Sequence, residues 1–306
     1  MSVLPSGEQW VLRSGGYEAT VVSVGGGLRG LTYGDRPVLL GYDASEPAHA
    51  GIGQHLFPWP NRISGGKYTF QGTDQQLYLT EPARGNAIHG LTRWANWIRL
   101  DADGPSSDAA GQPGSDVDLL VVGHRLHGQP GYPHQLDLRV TYRLGEDGLV
   151  VTASATNVGR TAAPYGYGAH PYLSVGRSVD DCVLEFTATD WLEVSPENMV
   201  PIGLAPVAGS AFDFSTPHAI GKASIDNAFT GLGNAWSVSL TDPDSGARSI
   251  LTSDTPWMQL FTGEPVGRTA LAVEPMTCPP DAFITGQNLI VLEPGDVHTT
   301  SFQVSV

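Results

Sequence analysis

The chain has 306 residues, a formal charge of −15 and only 15% charged residues, so polyanions such as nucleic acid and anionic membrane surfaces are repelled. Its 38 glycines and 23 prolines stay below the share that marks disorder and suit many tight turns. Two cysteines, Cys182 and Cys278, exclude a disulfide framework, so the fold must rest on apolar burial.

The N-terminal segment lacks the basic start and apolar run of roughly 7–15 residues that mark a signal peptide, so a soluble, cytoplasmic protein is expected. No stretch approaches the roughly 18 apolar residues of a membrane span.

Taken in chain order, short β-branched and aromatic segments are cut about every 8–12 residues by Gly, Pro, Asn or Asp. Strands are predicted at 17–24 and 28–33, separated by Gly25 to Gly27, and then at 67–71, 94–100 and 117–122. The runs 136–144 and 149–156, joined by Gly145, Glu146, Asp147 and Gly148, read as a hairpin. Further strands are predicted at 236–241, 248–253, 257–262, 270–274, 289–293 and 297–306, with Pro275 expected to end the 270–274 strand. No long helical periodicity is present, and single turns are expected only around 279–283. The polar segment 101–116 reads as a surface loop within a single domain spanning 1–306. One large antiparallel β-sandwich, an all-β fold, is the expected architecture.

Five segments carry chemistry. In GQHLFPWPNRISGGKYTF, Arg62 is either a fork for hydroxyls or a carboxylate, or a surface arginine before a hairpin. His89, in GNAIHGL, precedes a glycine that permits a bend or a close ligand; a satisfied core or turn histidine is the ordinary alternative. His170 precedes Pro171, which biases it to extended backbone, and Tyr165, Tyr167 and Tyr172 stand near it, either as rings suited to a sugar's apolar faces or as a tyrosine-rich core strand. Asp226 lies among apolar and small residues, where an Asx turn is the ordinary explanation. Glu274 follows the apolar run Leu271, Ala272, Val273, and desolvation there raises a carboxyl pKa toward that of a usable base. His124, His127 and His134 interleave with glycine and proline, lack a completing ligand set, and read as loop histidines rather than a metal site. No nucleophile elbow, phosphate-binding loop or dinucleotide fingerprint is present.

In this order the segments resemble the aldose 1-epimerase (galactose mutarotase) family. The likeness runs from about residue 15 to 305 and adds Gly131, Tyr132, Pro133 and the stretch Glu274 to Phe283 to the residues above. It implies a galactose mutarotase-like supersandwich that interconverts the α and β anomers of a free aldose such as galactose or glucose, with no cofactor and no metal. By this resemblance Glu274 is the general base, His170 the general acid and His89 a possible sharer of that work, with Arg62 and Asp226 orienting the sugar. Tyr172, Trp59 and Trp257 are stacking candidates that read equally as core aromatics. A monosaccharide substrate and a monomer or homodimer are expected.

The chain departs from the best-known galactose mutarotases at Leu91, where a second glycine is usual, and Thr92, Arg93 and Trp94 follow. An acidic or sulfonated sugar recognised by Arg93 or Arg84 is therefore an alternative substrate. Competing functions are a non-catalytic carbohydrate-binding sandwich, a glycoside hydrolase built on Asp226 and Glu274, and a metal enzyme built on His89, His170 and Glu274.

Overall fold

The computed structural model describes residues 3–100 and 118–306; the predicted loop 101–116 and Val117 lie outside the described residues. Two large antiparallel sheets carry the fold. The larger has twelve strands, beginning with the meander Gln9–Ser14, Tyr17–Val22, Leu28–Tyr33 and Arg36–Leu39. It then crosses Tyr172–Leu173, Leu271–Met276, Trp257–Phe261 and Asp226–Thr230, and ends with Asp190–Val194 and Pro201–Pro206. The second sheet has nine strands and centres on Asp118–Leu126, Leu136–Gly145, Gly148–Asn157 and Val297–Ser305.

The predicted hairpin shows why these residues form strands. Along Leu136–Gly145, the residues Leu136, Leu138, Val140, Tyr142 and Leu144 turn inward while the alternate positions meet solvent, which is the period of two of a half-buried strand. Leu149, Val151, Ala153 and Ala155 repeat that pattern on Gly148–Asn157. Each fully buried Val or Leu contributes about 1.5–3 kcal/mol. Inward side chains of both sheets, from Leu12 and Val21 to Val140 and Val304, join in one apolar cluster, which makes the molecule a β-sandwich.

Several expectations are corrected. The predicted strand 94–100 reduces to Ile98–Leu100. Upstream, Ala95 N–H turns back to the Thr92 carbonyl, and the Ala95 carbonyl and Trp97 N–H bond Gly25 and Ser23, so that backbone serves a loop contact instead of a ladder. Pro275 does not end its strand, which runs to Met276. On that edge Leu271 and Ala272 pair with Tyr172–Leu173 and Met276 pairs with Gly168, so the proline sits in the gap between partners, where its missing N–H costs no ladder bond. His124 lies in the strand Asp118–Leu126 and not in a loop, whereas His127 and His134 are loop residues, His134 buried against Tyr132 and Phe70. The only α-helical turn among the described residues is Ala282–Thr285, adjoining the predicted single turn.

Candidate active site

Glu274 lies in Leu271–Met276, a strand whose six residues are all buried, directly opposite Gln259 on Trp257–Phe261. It is 2% exposed. Burial raises its carboxyl pKa well above the ordinary range; the charge of Asp226 adds to this and that of Arg62 opposes it. Its Oε2 has no hydrogen-bond partner among the described residues.

His170 sits on the short connection between Gly168–Ala169 and Tyr172–Leu173, both of which pair with the Glu274 strand. Its backbone N–H donates to the Gln54 carbonyl at 3.0 Å, and its carbonyl accepts from Gly53 N–H at 2.9 Å. Thus the extended geometry that Pro171 favours is fixed from the opposite side by the 51–56 segment. His170 Nε2 lies 3.4 Å from Glu274 Oε1. Burial, reinforced by the positive charge of Arg93, lowers the imidazole pKa to about 3. An imidazolium–carboxylate pair is therefore not the resting form: when the two groups share one proton, burial favours a neutral carboxyl beside a neutral imidazole.

His89 adopts the left-handed backbone region, with φ of 62°. Gly90 follows because a β-carbon there would lie 2.0 Å from the Phe57 carbonyl oxygen. This bend carries the His89 ring edge-on against His170, with centroids 5.5 Å apart. Burial lowers the His89 pKa well below the usual imidazole value, and the charges of Arg93, His170 and Arg62 act in the same direction.

Asp226 opens the strand Asp226–Thr230 and accepts from Gln259 Nε2 at 2.7 Å, so it is a strand residue rather than an Asx turn. Burial raises its pKa, against the charge of Arg62 and the Gln259 hydrogen bond. Arg62 is 8% exposed and forks Glu81 through Nε at 2.8 Å and Nη2 at 2.9 Å, so it is not a surface arginine. Tyr172 stacks on His170, with centroids 5.0 Å apart and planes at 18°, and its hydroxyl donates to the Ala50 carbonyl. Trp59 packs edge-on against Phe283 in the core. Trp257 is buried with Met276 and donates through Nε1 to Asn288.

Sequence reading missed Gln259, Glu81, Gly51 and Asp281. Gln259 joins Asp226 to Glu274 across two strands, and its Oε1 is buried without a partner among the described residues, as is His89 Nδ1. Such orphaned acceptors and donors beside a buried acid point to a ligand site. Asp281 holds the Arg62–Ser64 strand by accepting from Ser64 N–H at 2.7 Å and Ser64 Oγ at 2.6 Å. Its sequence signal was available in the Glu274 to Phe283 stretch, but nothing there says what an aspartate would bind. Among the described residues no group of three or more His, Cys, Asp or Glu is arranged to hold a metal ion. No helix among them is long and apolar enough to cross a membrane.

The β-sandwich thus buries an imidazole against a carboxyl, with a second histidine ring edge-on to the first. Residues 8–305 match the family model for aldose 1-epimerase, and the chain belongs to that family, whose members are isomerases. It is 36% identical over 301 residues to the uncharacterized protein YihR of Escherichia coli K12, covering 98% of this chain and 93% of that one. It is 25% identical to the maltose epimerase of Levilactobacillus brevis, covering 88% and 83%. Among solved structures, the GalM/aldose epimerase homologue from C. elegans superposes with a TM-score of 0.82 at 19% identity, covering 97% of this chain and 98% of that one. A galactose mutarotase-like protein from Clostridium acetobutylicum gives 0.83 at 16%, covering 99% and 96%. These two likenesses concern the fold.

Proposed function

We propose that the protein is a mutarotase in which Glu274 and His170 open and close the ring of a free aldose. The carrying observation is the 3.4 Å approach of His170 Nε2 to Glu274 Oε1. The two oxygens that must exchange protons, the anomeric hydroxyl and the ring oxygen, share one carbon, so one compact acid–base pair reaches both. Glu274 takes the proton of the anomeric hydroxyl while His170 gives one to the ring oxygen. The bond from C1 to the ring oxygen breaks and C1 becomes an aldehyde. Rotation about C1–C2 turns its other face to the ring hydroxyl, and both transfers reverse on closure. Each positioned transfer contributes about 10²–10⁴-fold.

The reaction needs the charged form of the pair only while the sugar is cyclic. Ring opening leaves Glu274 protonated and His170 neutral, which is the form that burial prefers. Moving the proton from Glu274 to His170 therefore costs free energy before the ring opens, and opening restores the neutral pair. Arg62, Asp226 and His89 surround the pair and hold the sugar hydroxyls, and His89 stands close enough to His170 to share its proton transfer.

The test uses freshly dissolved α-galactose and α-glucose, with and without a chelator, followed by optical rotation or anomeric proton signals. Faster equilibration that survives the chelator is expected; an unchanged rate with every free aldose offered would overturn the reading.

One observation favours a narrower substrate. Arg93 is half-buried, burial lowers its pKa, and it acts electrostatically on both His89 and His170. Its Nη1 reaches Gln54 Oε1 at 3.4 Å and its guanidinium faces Trp94, yet no carboxylate pairs with it among the described residues. Arg84, by contrast, is paired with Glu81. A desolvated, unpaired cation beside the acid–base pair suits an aldose that carries an anionic group, a carboxylate or sulfonate, away from the anomeric carbon.

A further inference from the structure

Arg62 is gripped from behind. Its Nε and Nη2 both donate to the Glu81 carboxylate, at 2.8 and 2.9 Å, leaving Nη1 with only a 3.4 Å contact to Asn61 Oδ1. The grip is itself held. Asn86 Nδ2 donates to Glu81 Oε2 at 3.0 Å and to the Asn198 carbonyl at 2.8 Å, and Glu81 exchanges backbone hydrogen bonds with Asn86. Arg84 Nη1 adds a contact to Glu81 Oε1 at 3.3 Å. Four side-chain donors thus converge on one carboxylate, which has no reacting group within contact distance. Glu81 belongs to the turn that feeds Asn86–Ile88, the strand paired with Arg62–Ser64 and leading to His89.

We propose that Glu81 is a positioning residue: it fixes the guanidinium of Arg62 so that the remaining edge meets the sugar, an inference that rests on the mutarotase reading. A two-toothed carboxylate fork defines both the plane and the rotation of a guanidinium, which a single hydrogen bond does not. Arginine has several rotatable bonds, and freezing them before the substrate arrives removes that ordering cost from binding. The charge balance follows the same design. Glu81 offsets the Arg62 cation, so the arginine supplies hydrogen bonds to the sugar without holding Glu274 firmly ionised.

The test is a double-mutant cycle in the anomer-exchange assay, on an aldose that the wild type turns over. Glu81→Gln retains size but can accept only one of the two arginine hydrogen bonds; KM is expected to rise about tenfold with kcat within about threefold, the pattern of lost ground-state binding. Glu81→Asp, which keeps both acceptors, is expected to recover most of the affinity. Arg62→Lys removes the fork, so adding Glu81→Gln to it should raise KM by less than about twofold further. An unchanged KM in Glu81→Gln, or full additivity with Arg62→Lys, would overturn the role. Should Glu81→Gln not fold, Glu81→Ala, which accepts neither arginine hydrogen bond, takes its place in the same cycle with the same two outcomes. A wild type that accelerates no anomer exchange refutes the mutarotase reading instead, and is seen before any variant is compared.

Discussion

Gly51 meets the His170 imidazole so closely that a β-carbon on residue 51 would lie 2.6 Å from Cδ2 and 2.8 Å from Nε2. Tyr172 stacks on the same ring, anchored by its hydroxyl at Ala50. The imidazole is held between a glycine and a phenol, with Nε2 turned to Glu274. Gly51→Ala would force the ring aside and also place alanine at a φ of 77°. A displacement of about 1 Å in a catalytic group costs on the order of 10²-fold, so kcat should fall by about that factor with a smaller change in KM. Initial rates of anomer exchange check this, and an unchanged kcat would show that this contact does not set the ring.

Glu274→Gln should lower turnover at least about 10²-fold while sugar binding, followed by ligand-observed NMR, is largely kept. Because Oε2 of the buried acid has no partner, the neutral variant should also unfold at the same temperature or higher. His170→Asn should cost at least about 10²-fold in kcat. A smaller loss would move the acid role to His89, its neighbour at 5.5 Å between ring centroids.

Acid stability follows from two buried histidines. His55 lies between Tyr167 Oη at 2.8 Å and Tyr142 Oη at 2.6 Å, and burial lowers its pKa to about 3, the same as His170. Tyr142 donates its own proton to the Gly26 carbonyl, so His55 Nε2 donates to Tyr142 and Nδ1 accepts from Tyr167. Since the unfolded chain binds these protons near pH 6.5 and the folded chain does not, the stabilisation is complete above 6.5 and is lost as pH falls toward 3. His55 removes about 1.4 kcal/mol per pH unit over that window, whereas the raised carboxyl of Glu274 acts against the contribution of His170. Denaturant unfolding at pH 6.5, 5.5 and 4.5 measures the slope, which should become shallower by about one proton in His55→Phe.

Arg93→Gln should raise KM for an anionic aldose, such as a uronic acid or a 6-sulfonated hexose, about tenfold or more, and leave neutral aldoses within about threefold. Equal effects on charged and neutral sugars would make Arg93 a structural residue.

Much of this was legible in advance. Hairpin 136–157 and the C-terminal strands follow from alternation, and Arg62, His89, His170, Asp226 and Glu274 converge although up to 212 positions separate them. Less legible were the strands Asp190–Val194 and Pro201–Pro206, because the latter is an edge with Ile202 and Leu204 exposed and carries a proline at each end. Trp59 illustrates the other limit. An aromatic beside prolines suits a sugar platform or a core, and only packing against Phe283 decides where it lies. Glu81 and Gln259 had no local signal, since their importance comes from partners 19 and 33 residues away.

Glu274 resides on a strand with hydrogen-bonded neighbours on both edges and no exposed position. Its amide protons should be among the slowest in the molecule to exchange with deuterium, because releasing them requires opening the middle of the larger sheet. The reactive carboxyl is consequently part of the last cooperative unit to come apart. Fraying of the peripheral strands should leave turnover intact, and loss of activity in denaturant should coincide with global unfolding.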